Sequence, residues 1–188
     1  CGKSTTLRMI AGFEDLSDGE IHLCGRPVSI KSKNLYVPPE ERGLGMVFQS
    51  FAVWPHMNIF ENVAFPLRVR KVPKAEMIER VKMALKHTSL DGMEKVYPGN
   101  LSGGQQQRVG IARAFVTHPE VVFADEPTGN LDPVTADGIM TLFREIASRG
   151  CAVVMSTHNT SLIEQYPARA VLFSKGKIRE VDLKAELA

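Results

Sequence analysis

The chain has 188 residues, 23 Lys and Arg against 21 Asp and Glu, and 44% hydrophobic residues. That length suits one domain with a real core, and a mean hydropathy of −0.08 excludes long-range disorder. The near-even charge gives no electrostatic footprint for nucleic acid. No uncharged apolar run reaches the roughly 18–20 residues a membrane-spanning helix needs. The longest candidate, residues 58–69, is interrupted by Glu61 and Pro66. A soluble protein is expected, one still able to dock on a membrane partner. Cys1, Cys24 and Cys151 lack metal-site spacing and leave one thiol unpaired in any disulfide scheme, so reduced thiols are expected.

In chain order, residues 5–12 carry Leu7, Ile10 and Ala11 at helical spacing, with Gly12 as a stop. Ser17-Asp18-Gly19 is a turn, and residues 20–24 alternate like a half-buried strand. Residues 31–42 are polar, contain Pro38-Pro39 and read as loop. Residues 45–48 form a short buried strand ending at Gln49. Residues 51–73 predict short helices and turns. Residues 74–87 form an amphipathic helix with Met77, Val81, Ala84 and Leu85 on one face. Residues 105–117 are a helix entered through Gly103-Gly104. Residues 121–124 are a continuous apolar run, as in a strand buried on both faces. Residues 133–149 are a helix with Pro133 first, Gly150 just past the end, and Ile139, Leu142, Phe143 and Ile146 inward. Residues 152–155 are a second buried strand, and residues 170–173 and 177–181 form a hairpin. Strands alternating with helices predict an α/β fold with a mostly parallel sheet flanked by helices. Residues 51–118, poor in strand signals, predict an inserted helical subdomain; residues 1–50 and 119–188 supply the core.

Gly2-Lys3-Ser4-Thr5 opens a helix and matches the end of the phosphate-loop pattern G-x-x-x-x-G-K-[ST]. The plainer reading is an ordinary helix start with Ser4 as N-cap. Asp125 and Glu126 end an apolar strand, where α/β sheets bind ligands: Asp125 suits Mg²⁺ and Glu126 an attacking water. The plainer reading is a solvated strand end before Pro127. Leu101-Ser102-Gly103-Gly104-Gln105 offers a second helix N-terminus with bare N–H groups, or simply a capped helix with a glycine turn. Gln49 and His158 each follow a strand. Asp132 before Pro133 is a good N-cap.

The order of these motifs, from Gly2-Lys3-Ser4-Thr5 to His158, resembles the ATPase domain of ATP-binding cassette (ABC) transporters across essentially the whole chain. Its most specific element is Leu-Ser-Gly-Gly-Gln followed by a strand ending Asp-Glu-Pro. The resemblance implies a phosphate-loop NTPase fold and an ATP-hydrolysing subunit that uses ATP and Mg²⁺ to power transport. Glu126, His158 and Gln49 would be catalytic. Gly2, Lys3, Ser4 and Thr5 would hold the phosphates; Ser4, Gln49 and Asp125 would hold Mg²⁺. Ser102, Gly103, Gly104, Gln105 and Asp132 would face ATP bound by a second copy, in a head-to-tail dimer. The implied partners are integral-membrane permease subunits and, for an importer, a substrate-binding protein, with no nucleic acid. The implied location is the cytoplasmic face of the membrane, peripheral through the permease.

The chain opens on Cys1-Gly2-Lys3, without the front of the family's phosphate loop or its first strand, and reads as part of a longer product. As written it is expected to hold ATP weakly. Gly110 stands where the family usually has Ala, an expected helix-propensity cost of about 1 kcal/mol. Phe51 to Met57 and Glu61 to Leu67 look like importers of metal ions, sugars or polyamines, whereas Thr128-Gly129-Asn130-Leu131-Asp132 resembles the lipoprotein-release and cell-division branch. Many such importers carry a further C-terminal β-domain, and this chain stops at Ala188. Among the aromatics near Gln49, Phe60 and Phe65 are expected in the core and Phe51 or Trp54 at a permease. The competing functions are a non-transport ABC ATPase and a regulatory module of a membrane complex without turnover.

Overall fold

The computed structural model describes residues 2–181. In chain order the elements are α1 (Lys3–Ala11), β1 (Glu20–Leu23), β2 (Arg26–Ile30), β3 (Leu35–Tyr36), β4 (Leu44–Val47), α2 (Ile59–Val69), α3 (Lys74–His87), α4 (Gly103–Phe115), β5 (Val121–Asp125), α5 (Pro133–Ser148), β6 (Ala152–Ser156), α6 (Thr160–Gln165), β7 (Ala170–Ser174) and β8 (Lys177–Val181).

The central sheet is parallel, in the order β4-β5-β6. Successive side chains of a strand point to opposite faces, and both faces of β5 are covered, whereas β6, expected to be buried, leaves Val154 44% exposed. Phe123 meets Leu7 of α1 together with Leu23 and Val28. Val122, Ala124 and Val47 meet Ile111 and Ala114 of α4 and Ile139, Leu142, Phe143 and Ile146 of α5. This double burial explains why β5 reads as an unbroken apolar run. A separate cluster joins α2, α3 and α4 through Ile59, Val63, Leu67, Val81, Leu85 and Val109.

The structure departs from the sequence expectations at several elements. Residues 31–42 are not simply loop: β3 lies there, with 3-10 turns at Lys31–Lys33 and Pro39–Glu41. β2 has no counterpart in the sequence reading. Its burial runs exposed, exposed, then three buried, so it shows no period of two. It pairs antiparallel with β1 across Cys24 (φ 49°) and Gly25 (φ 76°), a turn that needs left-handed backbone at both residues. Where residues 51–73 predict short helices and turns, α2 runs eleven residues and continues through Pro66. Burial of Val63, Ala64 and Leu67 offsets the missing bond, and an Asn58–Glu61 capping box fixes the start. α1 starts at Lys3, with Gly2 (φ 97°) as its N-cap, so the reading of Ser4 as N-cap fails. α4 starts at Gly103, two residues earlier than expected.

Arg42 ties α1 to the antiparallel sheet. Only 2% exposed, its guanidinium donates to Met9 O and Ile10 O at the end of α1, to Val37 O and to Ser29 Oγ at 2.7–3.0 Å. Cys24 is exposed and Cys151 buried, both free thiols; Cys1 lies outside the described residues. Among the described residues no helix is long and apolar enough to cross a membrane.

Candidate nucleotide site

Parallel register brings the C-terminal ends of β4, β5 and β6 to one sheet edge, with Val47 beside Ala124 and Asp125 beside Ser156. Gln49, Glu126 and His158 leave that edge on successive loops. Glu126 turns sharply: its φ is 47°, and its N–H donates to both the carbonyl and the hydroxyl of Ser156 at 3.1 Å. Left-handed backbone at such a residue costs roughly 1–3 kcal/mol and is typical of functional turns. The outcome is a carboxylate aimed across the edge, with Oε2 2.9 Å from His158 Nδ1 and Oε1 3.6 Å from Lys3 Nζ.

Lys3 and Ser4 reach this edge from the first turn of α1. Lys3 also donates to Thr157 O at 3.4 Å. Ser4 Oγ donates to Asp125 Oδ1 at 2.9 Å, and Ser156 Oγ donates to the same oxygen at 2.6 Å. No side chain caps α1, so the N–H groups of its first turn remain available to an anion. Thr5 is exposed on that turn. The pairing of the Ser4 hydroxyl with the Asp125 carboxylate suits Mg²⁺. That ion takes hard oxygens, needs one or two protein carboxylates, and leaves its other positions to water and phosphate. Among the described residues there is no cluster of three or more His, Cys, Asp or Glu that could hold a metal ion.

Gln49 sits against the loop after Glu126. Its backbone O accepts from Asn130 Nδ2 at 3.1 Å, and a Cβ on Gly129 would lie 2.7 Å from its Nε2. The following residues Phe51 and Ala52 both have positive φ and lie along α4. Arg113 of α4 donates to Ala52 O at 2.8 Å and stacks 4.4 Å from the centre of the Trp54 ring, which packs on Phe65. Burial pushes the Arg113 guanidinium down to about 10, so it remains charged at neutral pH. The unexpected Gly110 faces this segment: a Cβ there would lie 3.2 Å from Phe51 O.

The N-terminus of α4 is a capping box, Ser102 Oγ accepting from Gln105 N–H and Gln105 Oε1 from Ser102 N–H. Both glycines have packing roles: a Cβ on Gly103 would press on the Phe51 ring, and one on Gly104 would overlap Thr135 Cγ2. Asp132 caps α5, accepting from Thr135 N–H at 3.0 Å. Hydrogen bonds from the Thr135 side chain and backbone hold its carboxyl below the usual range. Ser102 and Asp132 are not bonded to Lys3, Ser4 or Glu126, so the chain gathers two sets of candidate residues. Sequence reasoning missed Ser156, Thr135, Arg113 and Gln107. Ser156 ends a strand beside Asp125, a position that could have flagged it.

Comparison with known proteins places the chain in a family. Residues 1–129 match the family model for the ABC transporter. The chain is 38% identical over 182 residues to the trehalose/maltose import ATP-binding protein MalK of Thermococcus litoralis, covering 96% of this chain and 49% of that protein. It is 41% identical over 188 residues to the spermidine/putrescine import ATP-binding protein PotA of Thermobifida fusca, covering 100% of this chain and 47% of that one. The chain thus spans about half the length of the curated relatives it matches. Among solved structures, cbiO1 of Clostridium perfringens, part of the cbiONQ ABC transporter complex, aligns with a TM-score of 0.85 at 28% identity over 99% of this chain and 74% of its own. A dimeric bacterial ABC transporter cassette aligns with a TM-score of 0.80 at 32% identity, covering 97% and 81%. By family model, relatives and fold, the chain belongs to the ABC transporter family and has the phosphate-loop fold of its ATPase domain.

Proposed function

We propose that this chain is the ATP-hydrolysing part of a transporter subunit, working as a head-to-tail dimer on the cytoplasmic face of a membrane. The observation that carries the reading is the cluster at the sheet edge: Lys3 and His158 on the Glu126 carboxylate, beside Ser4 on Asp125. The α1 N-terminus and Lys3 bind the phosphates, and Lys3 exchanges Glu126 for phosphate when ATP enters. Glu126 then accepts a proton from the attacking water, while His158 holds the carboxylate in place and Gln49 lines the same space. Ser4, Asp125 and Gln49 would hold Mg²⁺, which neutralises charge on the phosphate oxygens. Ser102, Gly103, Gly104, Gln105 and Asp132 serve ATP bound by the second copy, through the N-terminus of α4, where Ser102 is exposed, and the cap of α5. Residues 51–118 act as the helical subdomain facing permease subunits. The sugar and polyamine importers among the relatives favour an importer supplied by a substrate-binding protein.

The test is Glu126→Gln in the full-length protein. Hydrolysis is expected to fall about 10²–10⁴-fold, as for loss of a general base. Binding of MgATP, read by calorimetry, should persist. Near-wild-type turnover would remove Glu126 from its assigned role.

A further inference from the structure

One buried amide on α4 is not used by the ATPase reading. Gln107 has no solvent exposure. Its Nε2 donates to Pro127 O at 2.6 Å and to Phe48 O at 3.3 Å. These carbonyls belong to the residue after Glu126 and the residue before Gln49. Both partners accept, so the amide cannot turn over without losing both bonds. Its Oε1 is left buried with no donor; among the described residues only Arg113 Nη1 shares that state. An orphaned buried acceptor is unfavourable. A methionine here would fill similar space and remove the orphaned oxygen, but would leave Pro127 O and Phe48 O without this donor, so it is the two loop bonds, and not packing, that select glutamine.

The bonded neighbours show what the amide organises. Gly129 N–H donates to Glu126 O at 3.0 Å, and Asn130 Nδ2 donates to Gln49 O at 3.1 Å, so the two loops are already joined to each other. Gln107 joins both to a third element, the helix that Ser102 caps. It lies within the second turn of that helix, close behind the capping box.

We propose that Gln107 is a positioning residue that locks the loops carrying Gln49 and Glu126 to the helix beginning at Ser102. A shift of that helix is then passed to both loops at once, through one amide. The proposal rests on the ATPase reading for its effect on turnover, but the mechanical link itself does not.

The test is Gln107→Met in the full-length protein, with Gln107→Leu as a second variant should the first not fold. Amide hydrogen exchange of the segments 48–50 and 126–130 is expected to rise at least tenfold, with a modestly lower melting temperature because two carbonyls lose their donor. MgATP affinity should stay within about twofold while kcat falls about tenfold or more. A normal kcat, with or without a lower melting temperature, would make Gln107 an ordinary core residue and overturn the proposal. Unchanged exchange in both segments would also overturn it. If the wild-type protein hydrolyses no ATP, the ATPase reading falls, and the exchange measurement still decides the link.

Discussion

A Cβ built on Gly104 overlaps Thr135 Cγ2, the methyl of a β-branched side chain with little freedom to move aside. Two effects oppose each other in Gly104→Ala. The helix gains about 1 kcal/mol of propensity, and the overlap costs about 1–3 kcal/mol. The overlap should win, giving a net loss of stability in urea denaturation. In a Thr135→Ser background the methyl is gone while a hydroxyl remains beside Asp132, so Gly104→Ala should become neutral or stabilising. Additive effects in the double mutant would show that the contact does not limit this site. The same contact gives the glycine pair a reason that phosphate recognition does not require. Glu126 likewise has left-handed backbone, fixed by two bonds to Ser156. Asp and Glu at a strand end were plain in the sequence, whereas the Ser156 hydroxyl shared between Asp125 and Glu126 was not.

Among the elements, α5 shows how much a cap and a period can specify. Asp132 caps it, Pro133 takes the first position, and Gly150 at φ 91° follows its end, all at the positions expected from sequence. Its buried face is the expected Ile139, Leu142, Phe143 and Ile146. Because Thr135 depresses the Asp132 pKa in the folded state, the carboxylate contributes stability above the usual carboxylate pKa. That contribution is lost as pH falls through the lower, folded value. Asp132→Ala should therefore reduce the melting temperature at pH 7, and its difference from wild type should close below about pH 4. Asp132→Asn, which keeps an acceptor for Thr135 but no charge, should lose part of that stability at pH 7 and match wild type below about pH 4. A difference that does not change with pH would mean the carboxylate charge plays no part. By contrast, α2 contains Pro66, and no local rule would carry a helix across it. Its continuation depends on Val63, Ala64 and Leu67 being buried in the cluster with α3 and α4.

At the scale of the molecule, the chain divides its candidate residues between two places. Lys3, Ser4, Asp125, Glu126 and His158 are bonded together, whereas Ser102 and Asp132 spend their hydrogen bonds on capping their own helices. In the proposed dimer each ATP lies between the first set of one copy and the second set of the other. Lys3→Ala and Ser102→Arg should each be inactive in the full-length protein. A mixed dimer holds one doubly defective site and one intact site, so single-turnover hydrolysis should partly return on mixing. No recovery, with mixed dimers shown to form, would separate Ser102 from the site.

The parallel α/β core, the helices around it and the polar residues at its edge are legible in the amino-acid pattern. Those features are local: a buried strand needs a continuous apolar run, a helix a 3.6-residue period, and a phosphate loop its glycine and lysine. Tertiary structure alone decided which of those residues meet. The Ser4–Asp125 bond spans 121 residues of chain and the Gln107–Phe48 bond spans 59. Neither leaves a periodic trace, because a single side-chain bond follows from how helices pack on the sheet. The same holds for β2, whose burial pattern lacks alternation, and for Arg42, a charged residue that the sequence gives no reason to bury. Its guanidinium is enclosed because the end of α1 and the antiparallel sheet together present four oxygens to it.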